Sequence, residues 1–190
     1  AAVVSLRREH VIGKRPAKEF TLPIMSGVTG GRRQQVAIDM CGDCLIEDRP
    51  LRYFCISADL GSAQGCAALV QRVPQLDILV NNVGIFSQQD FFDTADEGWE
   101  RFFSVNVMSG VRLSRAYLPG MVARGWGRVI FVSSESALNI PAEMIHYGMT
   151  KTAEIAVARG LAELCAGTSV TVNSVRPGPT RSDGVDEFVK

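Results

Sequence analysis

The chain has 190 residues, 46% of them apolar and 21% charged, and its 20 basic and 20 acidic side chains cancel to zero net charge. That length suits a single domain, and the balance of charge removes any electrostatic case for nucleic acid or an anionic membrane surface as partner. No apolar run approaches the ~20 residues of a membrane span and the start lacks a signal-peptide core. The 5 cysteines have no framework spacing, so reduced thiols in the cytoplasm are expected.

Taken in chain order, Ala1 to Leu6 reads as a short buried strand, followed by Arg7 and Arg8. From Gly13 to Pro50 no period is sustained, and Pro16, Pro23 and Pro50 punctuate the stretch. Cys41-x-x-Cys44 has the spacing of a metal or redox pair, but no second pair follows and His10 is far upstream, so no metal site is expected. Leu51 to Ile56 reads as a strand. Gly61 to Val73 has helical spacing, with Cys66, Leu69, Val70 and Val73 on one face. Asp77 to Val83 is a continuous apolar run of the kind buried in parallel sheets.

Thr94 or Asp96 is expected to cap a helix that runs to about Tyr117, where Pro119-Gly120 interrupts it before a further turn at Met121 to Arg124. Arg128 to Ser133 is a second buried strand. His146 to Cys165 is a long helix with Ala, Ile and Leu on one face, and Ser169 to Val175 is a β-branched strand ended by Pro177-Gly178. Phe86, Phe91, Phe92, Trp99, Phe102 and Phe103 are expected in the core and helix interfaces. Strands alternating with helices argue for an α/β fold with a parallel sheet and helices on both faces.

Chemistry concentrates late in the chain. Tyr147 and Lys151 are four apart and share one helix face. An ammonium beside a phenol favours the phenolate, whose pKa is ~10 in isolation. Ser134 lies 13 residues before Tyr147, at the end of the strand-like run Val129-Ile130-Phe131-Val132. Asn106 sits in the preceding helical stretch, and Asn81-Asn82-Val83-Gly84 follows Asp77-Ile78-Leu79-Val80. Together these can move a proton on or off an alcohol oxygen while a hydride moves elsewhere.

In this order and spacing, with Arg176-Pro177-Gly178-Pro179-Thr180 beyond, the residues resemble the short-chain dehydrogenase/reductase family from about Leu51 to Val185. The resemblance implies one NAD(P)-binding, Rossmann-type doubly wound domain over residues 1–190. It implies Tyr147 as general acid or base, Lys151 as the group that lowers its pKa and binds the nicotinamide ribose, Ser134 as holder of the substrate oxygen, and Asn106 as anchor of a proton-feeding water chain.

On the cofactor side it implies Asp59 and Leu60 near the adenine, Asn81, Val83 and Gly84 at the adenosine end, and Pro177, Gly178 and Thr180 at the carboxamide. Alanine is usual in the family where Val83 stands. Arg7 and Arg8 suit a 2′-phosphate, so NADP is the expected cofactor, with NAD as the alternative. A small-molecule carbonyl or alcohol is the implied substrate, and a homodimer or homotetramer the implied assembly, since the helices around Phe102 and Ile155 resemble the family's subunit contacts.

Two departures stand out. The family's T-G-x-x-x-G-x-G turn is missing: Thr29-Gly30-Gly31 lacks the later glycines and lies too close to Asp59. Residues 13–50 read either as a divergent surface helix or as a frame error or insertion. The sheet is therefore expected to be incomplete, and the competing reading is a catalytically impaired fragment or pseudoenzyme that keeps the fold and the oligomer helices.

Overall fold

The computed structural model describes residues 45–46, 49–50, 56 and 58–178. The expected strand at 1–6, residues 51–55 of the next, Arg7, Arg8, Thr29-Gly30-Gly31 and Thr180 lie outside the described residues. Within the stretch read as irregular, Leu45–Ile46 (β1) and Arg49–Pro50 (β2) form a short antiparallel pair, which the sequence pattern did not announce.

The main described sheet has three parallel strands in the order β3-β4-β5: Ile78–Asn81, Gly127–Val132 and Val170–Val175. Its register places Leu79 beside Val129 and Val129 beside Val172, and all three are buried in one apolar cluster. Their alternates Val80, Ile130 and Asn173 are half-buried or exposed. Side chains alternate across a strand, so one face of the sheet carries the described core. The other face is not covered by any described helix.

Among the described residues, four α-helices pack with the sheet. Ala63–Arg72 (α1) begins at Ser62, whose hydroxyl accepts from the Gly65 amide, and buries Cys66 and Leu69 as the spacing predicts. Gly65 is required there: a Cβ would stand 1.9 Å from the Asp59 carbonyl oxygen. Asp96–Phe102 (α2) has Ala95 at its N-cap, with no side-chain cap. The Thr94 hydroxyl is spent on the Asp90 carbonyl instead, and Asp96 and Glu97 offset the dipole of the first turn.

A π-helical turn, Phe103–Met108, then leads into Ser109–Ala123 (α3). Contrary to expectation, α3 continues through Pro119. A proline here deprives the Arg115 carbonyl of its donor, but Arg115 is exposed to solvent, while Tyr117, Leu118 and Met121 anchor the helix in the core. The Tyr117 hydroxyl donates to the Val73 carbonyl and ties α3 to the end of α1. Ile145–Leu164 (α4) follows a pair of 3-10 turns, Glu135–Ala137 and Ala142–Met144. Of the aromatic run, Phe102 is buried, but Phe91, Phe92 and Phe103 are exposed, which corrects their assignment to the core. Among the described residues no helix is long and apolar enough to cross a membrane.

Candidate active site

Parallel strands in register end together, so β3, β4 and β5 deliver their following loops to one edge. In open α/β sheets that edge is where ligands bind. The loop after β3 carries Gly84, that after β4 carries Ser134, and that after β5 carries Pro177 and Gly178. The Ser133 amide donates to the Val175 carbonyl, and the Glu135 amide to that of Pro177, fastening two of these loops together.

Tyr147 and Lys151 stand on the first turns of α4. Gly148 lets that end of the helix approach the Ser134 loop: a Cβ there would meet the Ser136 carbonyl oxygen at 2.9 Å and Ile140 at 2.6 Å. The Thr152 hydroxyl donates to the Ala137 carbonyl, and Ser133 Oγ donates to the Lys151 carbonyl. Tyr147 is half-buried, with its ring 6.3 Å from that of Phe86 and 5.7 Å from Lys151 Nζ. Ser134 Oγ accepts from the Ser136 amide. That bond uses an oxygen lone pair and leaves the O–H available to donate.

Asn106 lies in the π-turn and is buried. Its Oδ1 accepts from the Ile85 amide, and its Nδ2 donates to the Ile85 carbonyl and to Thr150 Oγ1. Thr150 Oγ1 in turn donates to the Tyr147 carbonyl. The π-turn, a device common at functional sites, thus clamps the Gly84–Ile85 backbone against α4. A Cβ on the exposed Gly84 would come within 3.5 Å of Lys151 Nζ and 3.8 Å of Asn106 Oδ1. Tyr147, Lys151, Ser134 and Asn106 therefore lie on elements that converge at the loop edge of the sheet.

The outlying positions are more mixed. Asn81 ends β3 and donates to Ser114 Oγ on α3, while its Oδ1 is buried without a partner among the described residues. Asp59 is exposed and its carboxylate accepts from the Gly61 amide. Leu60 and Val83 are buried in the apolar core. Pro177 and Gly178 are exposed at the sheet edge.

Two residues close to the site were not foreseen. Glu154 is buried one turn beyond Lys151, with its oxygens 2.9 and 3.2 Å from Nζ. Burial pushes its carboxyl up to about 7, with Lys151 pulling the other way. An acidic residue three positions after a lysine on a helix is the signal that could have found it. His146 is buried edge-on to Phe102, ring centroids 4.1 Å apart, and desolvation lowers its pKa.

The short chain dehydrogenase family model matches residues 12–190. The chain belongs to the short-chain dehydrogenase family. Its members are NAD(P)-binding oxidoreductases on a Rossmann fold, and the match reaches upstream of Leu51, where the motif resemblance began. The chain is 43% identical to the uncharacterized oxidoreductase YvaG of Bacillus subtilis over 178 residues, 94% of this chain and 67% of that one. YvrD of the same organism is 42% identical over 185 residues, 94% and 68% of the two chains.

Among solved structures, a short chain dehydrogenase/reductase family protein matches with a TM-score of 0.67 at 38% identity, covering 70% of this chain and 56% of that one. L-sorbose reductase from Gluconobacter frateurii, complexed with NADPH and L-sorbose, matches with a TM-score of 0.67 at 32% identity, covering 70% and 52%. The chain thus spans about two thirds of its curated relatives' length and little more than half of the matched structures'.

Proposed function

We propose that this chain carries the active site of an NAD(P)-dependent oxidoreductase that interconverts a small-molecule carbonyl and a secondary alcohol, with Tyr147 moving the proton. The observation that carries the reading is the meeting of Tyr147, Lys151, Ser134 and Asn106 at the loop edge of three parallel strands. The cofactor fits this edge. Gly84 keeps the approach to Lys151 open where a side chain would begin to fill it, and Pro177-Gly178 lies exposed beside it. Asn81, Gly84, Lys151, Pro177 and Gly178 are the described residues that would hold it, with Asp59 at the far end. When bound, the nicotinamide supplies or accepts the hydride at the substrate carbon.

The chain's own residues handle the oxygen. Ser134 donates its free O–H to the substrate oxygen and holds it beside Tyr147. In reduction the Tyr147 phenol gives its proton to the oxygen as negative charge develops there. In oxidation the phenolate takes that proton back. The Lys151 ammonium, 5.7 Å from the Tyr147 ring, stabilises the negative charge that the phenol oxygen acquires as its proton moves to the substrate. Asn106 fixes the backbone beside Gly84 and the start of α4, so the acid and the crevice keep one geometry.

NADP is the cofactor we infer, with NAD as the alternative. Arg7 and Arg8 supply the chemistry for a 2′-phosphate. The Gluconobacter relative holds NADPH, and a putative gluconate 5-dehydrogenase from Beutenbergia cavernae, 28% identical with a TM-score of 0.66, holds NADP. Tyr147→Phe keeps the ring and removes the proton donor. Ketone reduction with NADPH is expected to fall at least ~100-fold, the low end for general acid–base catalysis. Turnover near that of the parent protein would reject the assignment. NADPH and NADH titrations of the parent, Arg7→Ala and Arg8→Ala proteins decide the cofactor preference.

A further inference from the structure

The Lys151 ammonium has three N–H donors. One goes to the Val132 carbonyl at 2.9 Å, and the two Glu154 oxygens lie at 2.9 and 3.2 Å. Val132 ends β4, and Glu154 lies one helical turn beyond Lys151, so these partners hold the ammonium at the end of the strand. Both side chains are almost wholly removed from solvent, at 6% and 3% exposure. If Lys151 is to serve the Tyr147 phenol or a ribose hydroxyl, its ammonium must be drawn from this set of partners, and Glu154 is the one whose charge can be neutralised as it goes. A buried carboxylate that loses its cation is strongly disfavoured and recovers by taking a proton.

We propose that Glu154 is a positioning residue that competes with Tyr147 and the cofactor ribose for the Lys151 ammonium, so that cofactor binding is coupled to proton uptake at Glu154. The proposal rests on the reading of Tyr147 and Lys151 as the acid–base pair. It adds a carboxylate that cancels much of the positive field at the phenol until the cofactor draws the lysine away.

Lys151 is the charged group that acts on Glu154. Neither β5 nor the π-turn carries a titratable side chain. Arg128 on β4 is engaged at the other end of the strand, with the Gly127 and Ser169 carbonyls. Glu135 and Glu143 on the 3-10 turns are exposed, as are Asp96, Glu97, Glu100 and Arg101 on α2. On α4 itself, Arg159 pairs with Glu163 at the surface, and His146 faces the rings of Phe102 and Trp99. Burial raises the proton affinity of the Glu154 carboxyl into the neutral range, where such an exchange is accessible.

The test begins with the unaltered protein and no cofactor. In carbon-13 NMR the Lys151 ε-carbon signal should respond at the same midpoint at which the Glu154 carboxyl titrates, because the two groups are in contact. Independent midpoints overturn the proposal whether or not NADPH binds. A shared midpoint in a protein that does not bind NADPH supports the pairing and counts against the oxidoreductase reading, so the two fail separately. Adding NADPH should raise the Glu154 midpoint by about one unit, the scale of losing a charge partner. Calorimetry of NADPH binding at pH 7.5, in buffers of different ionisation enthalpy, should register proton uptake that Glu154→Gln abolishes. The same variant removes the competitor for the ammonium, so NADPH should bind it more tightly than the parent, by a margin that grows as pH rises through neutrality and the parent's Glu154 ionises. Equal proton uptake by parent and variant, or NADPH affinities that keep one ratio across pH, overturns the proposal.

Discussion

At the scale of the residue, the Lys151–Glu154 pair sets a pH dependence of stability whose sign can be worked out. The Glu154 carboxyl rises from 4.5 to about 7 on folding. The folded protein therefore holds this proton more tightly than the unfolded chain does. Its contribution is fully present below about 4.5 and is lost as pH rises through about 7. Glu154→Gln keeps a hydrogen-bonding side chain and removes the titration. Thermal melts at pH 5 and pH 8 should show the parent protein losing more stability across that interval than the variant. Parallel losses would mean that Glu154 is ionised throughout. Glu154 escaped the sequence reading because a glutamate on a helix ordinarily faces water, and its burial comes from the strand edge that α4 lies against. Tyr147, Lys151 and Ser134 were legible because spacing along one helix, and the end of one strand, fix their positions with little help from the rest of the fold.

At the scale of the element, periodicity located α1, α4 and the three parallel strands to within a few residues, since each buries a face of matching period. It could not see the π-turn. Phe103-Ser104-Val105-Asn106-Val107-Met108 has the same apolar spacing in either helix type, and the wider turn follows from Asn106 reaching across to Ile85 and Thr150. Nor could it see that Pro119 is tolerated, because that depends on where Arg115 faces. The contact between α3 and β4 is tighter than composition discloses. A Cβ at Gly110 would stand 2.6 Å from Phe131, whose ring is 1% exposed and walled in by the core. Gly110→Ala gains helix propensity but must displace that ring or open the helix–sheet gap. A net loss of about 1–3 kcal/mol is expected, the usual cost of overpacking a filled core. Urea unfolding monitored by circular dichroism reads this directly, and a neutral or stabilising result would show that the α3–β4 contact yields.

At the scale of the whole molecule, the outward apolar side chains bear on assembly. The helix around Phe102 is expected at a subunit contact; the Phe102 ring itself is turned inward against His146, which leaves its neighbour Phe103 as the exposed ring, at 40%. Val122 near the end of α3 and Leu164 at the end of α4 are also exposed, at 41% and 76%. Single exposed apolar residues are ordinary. Those on α3 and α4, however, belong to the helices that resemble the family's subunit contacts. Pairing of such helices with their copies would give a closed dimer or tetramer, in which each patch meets itself across a two-fold axis. We therefore expect the protein to sediment as a dimer or tetramer at micromolar concentration. Phe103→Asp would bring a carboxylate into the contact twice, once from each subunit, and burying unpaired like charges costs several kcal/mol. The variant should shift toward monomer while its circular dichroism spectrum stays that of the parent. A parent protein that is monomeric, or a variant that assembles as before, would remove this face from consideration. Because Ser134, Tyr147 and Lys151 are gathered within one chain, a soluble monomeric variant should still bind NADPH, which separates the assembly question from that of catalysis.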